Sequence, residues 1–145
     1  MPFQMRNISS KKLGAIAMLL SVAVIFFSCS RKMNFGISHV TPAAEGYVKL
    51  NSDKNNNTAI KVKVNNLAPA ERLGSSDKVY VVWMRTKKNG IRNIGQLEGK
   101  SDLLSSARSA ELQTITVFEP TSFFITAETD AAVQIPGPEV ILKTI

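Results

Sequence analysis

The 145-residue chain contains one cysteine, one histidine and one tryptophan. A single cysteine excludes an internal disulfide framework, and one cysteine with one histidine cannot make a four-ligand zinc site from those residue types. Neither Gly-x-x-x-x-Gly-Lys-Ser/Thr nor Gly-x-Gly-x-x-Gly occurs, so the two common glycine-rich phosphate loops are missing. Outside residues 13–28 there is no long apolar run, and no helical period longer than about two turns. Acidic residues are scarce, 11 against 18 basic ones, for a formal net charge of +7 and a pI near 9.8. That total invites a nucleic-acid or anionic-surface reading, but it says nothing about where the charges sit.

Position resolves part of the charge. Residues 1–12 carry Arg6, Lys11 and Lys12 and no acid, and residues 13–28 then run uncharged up to Cys29. A basic segment followed by an apolar one is the form of a bacterial export signal. As a helix the apolar segment would reach about 24 Å, short of the roughly 30 Å hydrocarbon core of a bilayer. Cys29 follows a small residue at its end, where a lipoprotein signal places the cysteine that is acylated and becomes the mature N-terminus; Phe26-Phe27-Ser28-Cys29 is a relaxed version of that pattern. The alternative is an uncleaved signal anchor with a buried thiol beside it. The expected organisation is a lipoprotein signal peptide over 1–29, a flexible tether over 30–44 broken by Pro42, and one domain over 45–145. Removing the leader takes three basic residues and no acid, leaving a net charge of +4. Arg31 and Lys32 would sit beside the headgroups, where a basic pair gains modestly from anionic lipid.

The rest of the chain has period two. Ile60, Val62 and Val64 alternate with Lys61, Lys63 and Asn65, after Tyr47–Leu50 and a polar run of turn formers, which reads as a hairpin with one wet face. The lysines are then a solvated strand face. Residues 78–85 are the most apolar stretch and suit a central strand buried on both faces. Asn89-Gly90 turns the chain into a partner strand over Ile91–Leu97, and residues 99–110 form a polar crossover. Leu112–Phe118, Phe123–Glu128 and Val140–Leu142 complete seven short strands, so the fold class is all-β, an antiparallel β-sandwich of one domain.

No catalytic constellation emerges. Cys29 has no paired base, His39 stands ten residues on in the expected tether, and Glu119 and Glu128 read as surface carboxylates rather than an acid/base pair. No cofactor and no metal site is expected. Tyr80 and Trp83 could form a ligand platform, but a tryptophan in a central sandwich strand is more often core. The lysines are spread over several turns and strands and interleaved with acids, and the export signal removes the chain from the cytoplasm, so nucleic acid is not an expected partner.

Several segments, in order, resemble the extracytoplasmic domain of anti-sigma-K factors. Gly46-Tyr47-Val48 is similar to its opening strand, Leu67-Ala68-Pro69 to its loop, and Val79-Tyr80-Val81-Val82-Trp83-Met84 to its signature strand. Asn93-Ile94-Gly95, Phe124-Ile125-Thr126-Ala127-Glu128 and Pro136-Gly137-Pro138 follow, with Tyr80, Trp83, Gly95, Glu128, Pro136, Gly137 and Pro138 as the motif positions. Val81 stands where the family has Gln, and Asp130-Ala131-Ala132-Val133 replaces a Gly-Gly turn. Residues 1–12 are too few for the cytoplasmic sigma-binding domain of that family, so the resemblance concerns residues 45–145 alone. It implies a periplasmic-side β-sandwich whose relatives serve as sensory or interaction domains; together with the leader, the expectation is a non-enzymatic domain lipid-anchored through Cys29 to the inner or outer membrane, facing the periplasm, with an envelope protein as a candidate partner. A small-ligand or carbohydrate-binding lipoprotein and the extracytoplasmic part of an anti-sigma system remain the alternatives; an exposed aromatic cluster near Tyr80, Trp83 or Phe123 would favour ligand binding.

Overall fold

Alternating side chains explain the strands, and the strands form two layers. A computed structural model describes residues 30–73, 79–100 and 109–145; the leader and Cys29 lie outside them. Among the described residues the strands are β1 (Arg31–Asn34), β2 (Glu45–Ser52), β3 (Thr58–Asn65), β4 (Val79–Thr86), β5 (Ile91–Gln96), β6 (Glu98–Lys100), β7 (Ser109–Thr116), β8 (Pro120–Glu128) and β9 (Val140–Lys143), with a short 3-10 turn at Ala70–Arg72. One sheet runs β1-β2-β3-β7-β6 and the other β5-β4-β8-β9, every pairing antiparallel. With β1 set aside, β2-β3-β7-β6 facing β5-β4-β8-β9 is the Greek-key order of immunoglobulin-like sandwiches.

The core lies between the sheets. Ile60, Val62 and Val64 of β3 face inward beside Val48 and Leu50 of β2, and meet Val82, Met84, Phe123 and Ile125 of the other sheet. Lys61 and Lys63 take the opposite, half-buried face, as period two requires. All seven expected strands are present. Strand β4 is buried on both faces, as its apolar run implies, with Val81, Val82 and Trp83 entirely inaccessible.

Residues 30–44 are not a free tether. Arg31–Asn34 pairs with Tyr47–Leu50 of β2, and Met33, Phe35, Ser38, Thr41 and Ala44 are buried. The Ser38 hydroxyl accepts the N–H groups of Val40 and Thr41, folding the segment back on itself. Met33 and Phe35, two large apolar side chains spaced by two, bury themselves rather than remain in water. The expected 99–110 crossover is also shorter than its sequence suggested, because Glu98–Lys100 pairs with Ser109–Glu111; residues 101–108 lie outside the described part.

Both edges of the sandwich are joined across the gap between sheets. On one side the chain passes from β5 into β6 through Leu97, whose N–H donates to the Tyr80 carbonyl at 2.9 Å. On the other, Phe35 bridges Thr144, the Gly36 N–H donates to Lys143 O at 2.9 Å, and the Ile145 N–H donates to Asn34 O at 3.1 Å. These contacts occupy groups that open sheet edges would present to other chains.

The registers also define two ends. Arg31 pairs with Leu50, so the chain enters at the end that holds the β2–β3 turn; Ser52, Thr58 and Thr116 align there, and Thr116 leads through residues 117–119 to Pro120, opposite Thr86. The Lys87 N–H donates to Glu119 O at 3.1 Å, which ties the β4–β5 turn to the same place. This is the entry end. The 35–44 and 129–139 connections lie at the far end.

Candidate functional site

Three of the motif positions, Trp83, Glu128 and Gly137, gather on the outer face of the four-stranded sheet. Because Val82 and Met84 face the core, Trp83 points outward, where it stacks on Phe124 with ring centroids 6.2 Å apart and planes 13° from parallel. Trp83 is nevertheless fully buried, since the β8–β9 connection folds over it and brings Val133 against the pair. It is core, as weighed from the sequence, but in a second, smaller cluster outside the main one.

A chain of hydrogen bonds holds that cover in place. The Trp83 Nε1–H donates to Thr126 Oγ1 at 2.7 Å, and the Thr126 hydroxyl donates to Glu128 Oε1 at 2.5 Å. The same oxygen accepts the Gly137 N–H at 2.7 Å. A β-carbon at Gly137 would stand 3.1 Å from Glu128 Oε2, so a larger residue there requires the carboxylate to give way by a few tenths of an ångström. Glu128 is therefore buried, 9% exposed, and not the surface group its sequence position suggested. Glu119 is at the surface, with its carboxylate 3.4 Å from the Lys87 ammonium, at the opposite end of β8.

Two residues that sequence reasoning did not single out complete the clamp. Thr126 is the relay, and Asn93 is the second anchor: its Nδ2 donates to the carbonyls of Ala131 and Val133, both at 2.8 Å, while its Oδ1 accepts the Gly95 N–H at 2.9 Å. Asn93 reaches the cover because β5 is irregular opposite Val82 and Trp83, with Gly95 at φ +127°. That dihedral explains glycine at the motif position. Their signal in the sequence was the motif itself, in which Asn93 and Thr126 stand between the chosen residues. Tyr80 belongs elsewhere; its hydroxyl donates to Ala68 O at 2.8 Å and ties the 67–69 loop to β4. Pro136 and Pro138 flank Gly137 at the end of the cover, half-buried and exposed respectively.

No family model, no curated protein and no solved structure matches this chain. Every member of the clamp is hydrogen-bonded to another, and among the described residues no buried side-chain nitrogen or oxygen is left without a partner. Among the described residues no group of three His, Cys, Asp or Glu side chains is placed to hold a metal ion, and His39 stands exposed in the 35–44 connection. The arrangement is a structural clamp. Tyr80, Trp83 and Phe123 are 7%, 0% and 0% exposed, so they form no aromatic platform.

The surfaces that remain are the face of the five-stranded sheet and the entry end. On that face Lys32, Lys49 and Lys61 align across β1, β2 and β3, and Lys63 lies in the next row. Glu111 lies 3.8 Å from both Lys61 and Lys63, and the Lys32 ammonium stands 4.4 Å from the centre of the Tyr47 ring. An open depression of about 610 Å³ lies between Lys61, Gln113 and Ile115. At the entry end, Asp53 accepts the N–H groups of Asn55 and Asn57 at 2.8 and 2.7 Å and the Asn57 side-chain amide at 3.2 Å, closing the β2–β3 turn with Asn56 at φ 64°. Desolvation pushes the Asp53 pKa up, but the hydrogen bonds from Asn57 and Asn55 together outweigh it and hold the carboxyl below its ordinary value. Nearby the Arg92 guanidinium lies 5.3 Å from the centre of the Phe118 ring.

Proposed function

We propose that the protein is an exported, membrane-attached β-sandwich that works by contact with an envelope partner and carries out no covalent chemistry of its own. The observation that carries this reading is the leader, a basic 1–12 segment and an apolar 13–28 segment ending on the sole cysteine, set directly before a folded sandwich. Acylation of Cys29 supplies the anchor, and more than one acyl chain is needed for it to be stable. The arrangement of the side chains supports contact over catalysis. The aromatic and acidic residues that could have built a ligand or acid/base site, Tyr80, Trp83, Phe123 and Glu128, are occupied inside the fold. The resemblance of residues 45–145 to anti-sigma-K extracytoplasmic domains supports a sensory or interaction role on the periplasmic side of the membrane.

The test is metabolic labelling of the full chain in a bacterial host with radioactive palmitate. Wild type takes up label and Cys29→Ser does not, while the variant leaves the membrane fraction. Equal label in the two proteins overturns the lipid anchor.

A further inference from the structure

The polarity of the sandwich, set against the place where its chain begins, carries an inference that rests on the membrane attachment proposed above. Only Ser30 separates Cys29 from the first paired residue, Arg31. Two residues of extended chain reach about 7 Å. A bilayer attachment ending at residue 29, whether acyl chains or an uncleaved apolar segment, therefore leaves the entry end no room to stand away from the lipid. The buried side chains of Met33 and Phe35 fix β1 into the sandwich, so the segment cannot pay out as a tether.

The chemistry of that end suits such a surface. Arg31, Lys54, Lys87 and Lys88 lie there, and of the two acids present Asp53 is held in its own turn while Glu119 faces Lys87. Two branched apolar side chains stand out beside them, Val117 at 78% exposure and Ile115 at 62%. The far end differs in sign. It also exposes an apolar side chain, Ile135 at 82%, but its described charged side chains are Glu45, Asp130 and Glu139 against Arg72. Exposed apolar groups ringed by lysine and arginine bind the interface of an anionic bilayer, where each basic residue near the surface contributes about 1 kcal/mol, equal to about fivefold in population. Apolar groups ringed by acids do not.

We infer that the entry end is a membrane-docking surface, with Val117 and Ile115 entering the headgroup layer of an anionic phospholipid bilayer and the basic turns lying on it. The sandwich then stands on the membrane through β1 and the β2–β3, β4–β5 and β7–β8 connections. Its far end, with the 129–139 cover, faces away and is the surface left for a protein partner.

Trp83 is the sole native tryptophan and is buried, so a second one reports its own surroundings. Val117→Trp and Ile135→Trp place it at exposed positions on opposite ends. The full-length proteins are reconstituted into vesicles of phosphatidylcholine and phosphatidylglycerol whose acyl chains are brominated, with wild type giving the Trp83 baseline. The added tryptophan at 117 is expected to be quenched by the lipid and shielded from iodide, and the one at 135 to show the reverse. Adding Lys54→Glu and Lys88→Glu should lower the fraction of docked molecules by about fivefold for each charge that reaches the surface, and so should phosphatidylcholine alone. Equal lipid quenching at 117 and 135, or none at 117 in protein that floats with the vesicles, overturns the docking while leaving the attachment intact. A reporter at 117 shielded from both quenchers is covered by protein, a second copy included, and also overturns it. Protein that fails to float at all overturns the attachment itself.

Discussion

Glu128 shows how one side chain settles the role of several others. A glutamate at the end of a strand next to a turn is ordinarily solvated, yet here it is buried because three groups converge on it: the Thr126 hydroxyl, the Gly137 N–H and, through Thr126, the Trp83 indole. The pairing is asymmetric in its consequences. Removing the carboxylate leaves a donor hydroxyl and a backbone N–H without an acceptor in a site that the 129–139 connection covers, and an unsatisfied buried group costs about 1–3 kcal/mol. Glu128→Ala should therefore lower stability by about 2 kcal/mol in urea unfolding, and Glu128→Gln, which keeps a carbonyl oxygen at the same place, should cost less than half of that. Trp83→Phe loses the indole N–H and also leaves a void where the smaller ring fails to fill a fully buried site, so it should cost at least as much as Glu128→Ala. Equal midpoints for Glu128→Ala and wild type would mean that the clamp does not hold the cover.

At the scale of elements the same physics explains what the sequence disclosed and what it hid. The seven strands from Tyr47 to Leu142 were legible because apolar residues alternate over at least four positions or run together between turn formers, as in Ile60–Asn65 and Val79–Met84. Strand β1 was not, since Arg-Lys-Met-Asn offers one apolar side chain in four, and its pairing is fixed by β2 and by the bridge from Phe35 to Thr144, partners far away in sequence. Strand β6 hid for a similar reason, being three residues long with Gly99 at its centre. The candidate site was legible as a set of motif positions but not as a clamp. Nothing in the order of residues tells that the odd-numbered side chains of β4 would be covered by a loop some 50 residues later. Phe35 gives the sharpest test of the corrected element. Truncating a buried phenylalanine costs about 3–5 kcal/mol, whereas in a solvated tether the change would be nearly neutral. Phe35→Ala should lower stability by about 3 kcal/mol in urea unfolding; an unchanged midpoint would return residues 30–44 to the status of a linker.

At the scale of the whole molecule, the sandwich is close to a closed shell. Two open sheets would expose four edge strands, each a row of unpaired N–H and C=O groups available for pairing with another chain. Here β5 runs on into β6 at one corner, and the 34–36 segment joins β2 to the end of β9 at the other. The corner at Leu97 should be the stronger of the two, because the residue is 5% exposed, its side chain belongs to the main core, and its N–H bonds to β4 while the next residue pairs with β7. Exposing that N–H to solvent requires separating both sheets from the strand that joins them. Local openings that do not disturb the core cannot do this, and amides with that property exchange only with global unfolding. Hydrogen exchange followed by NMR should therefore find the Leu97 amide exchanging at the rate of Val62 and Val82 in the centres of the two sheets, and far more slowly than Lys88 in the exposed β4–β5 turn. A Leu97 amide as fast as that of Lys88 would show that the sheets separate at this corner while the core stays folded, and the molecule would then behave as an open sandwich with a β-edge free to recruit another chain.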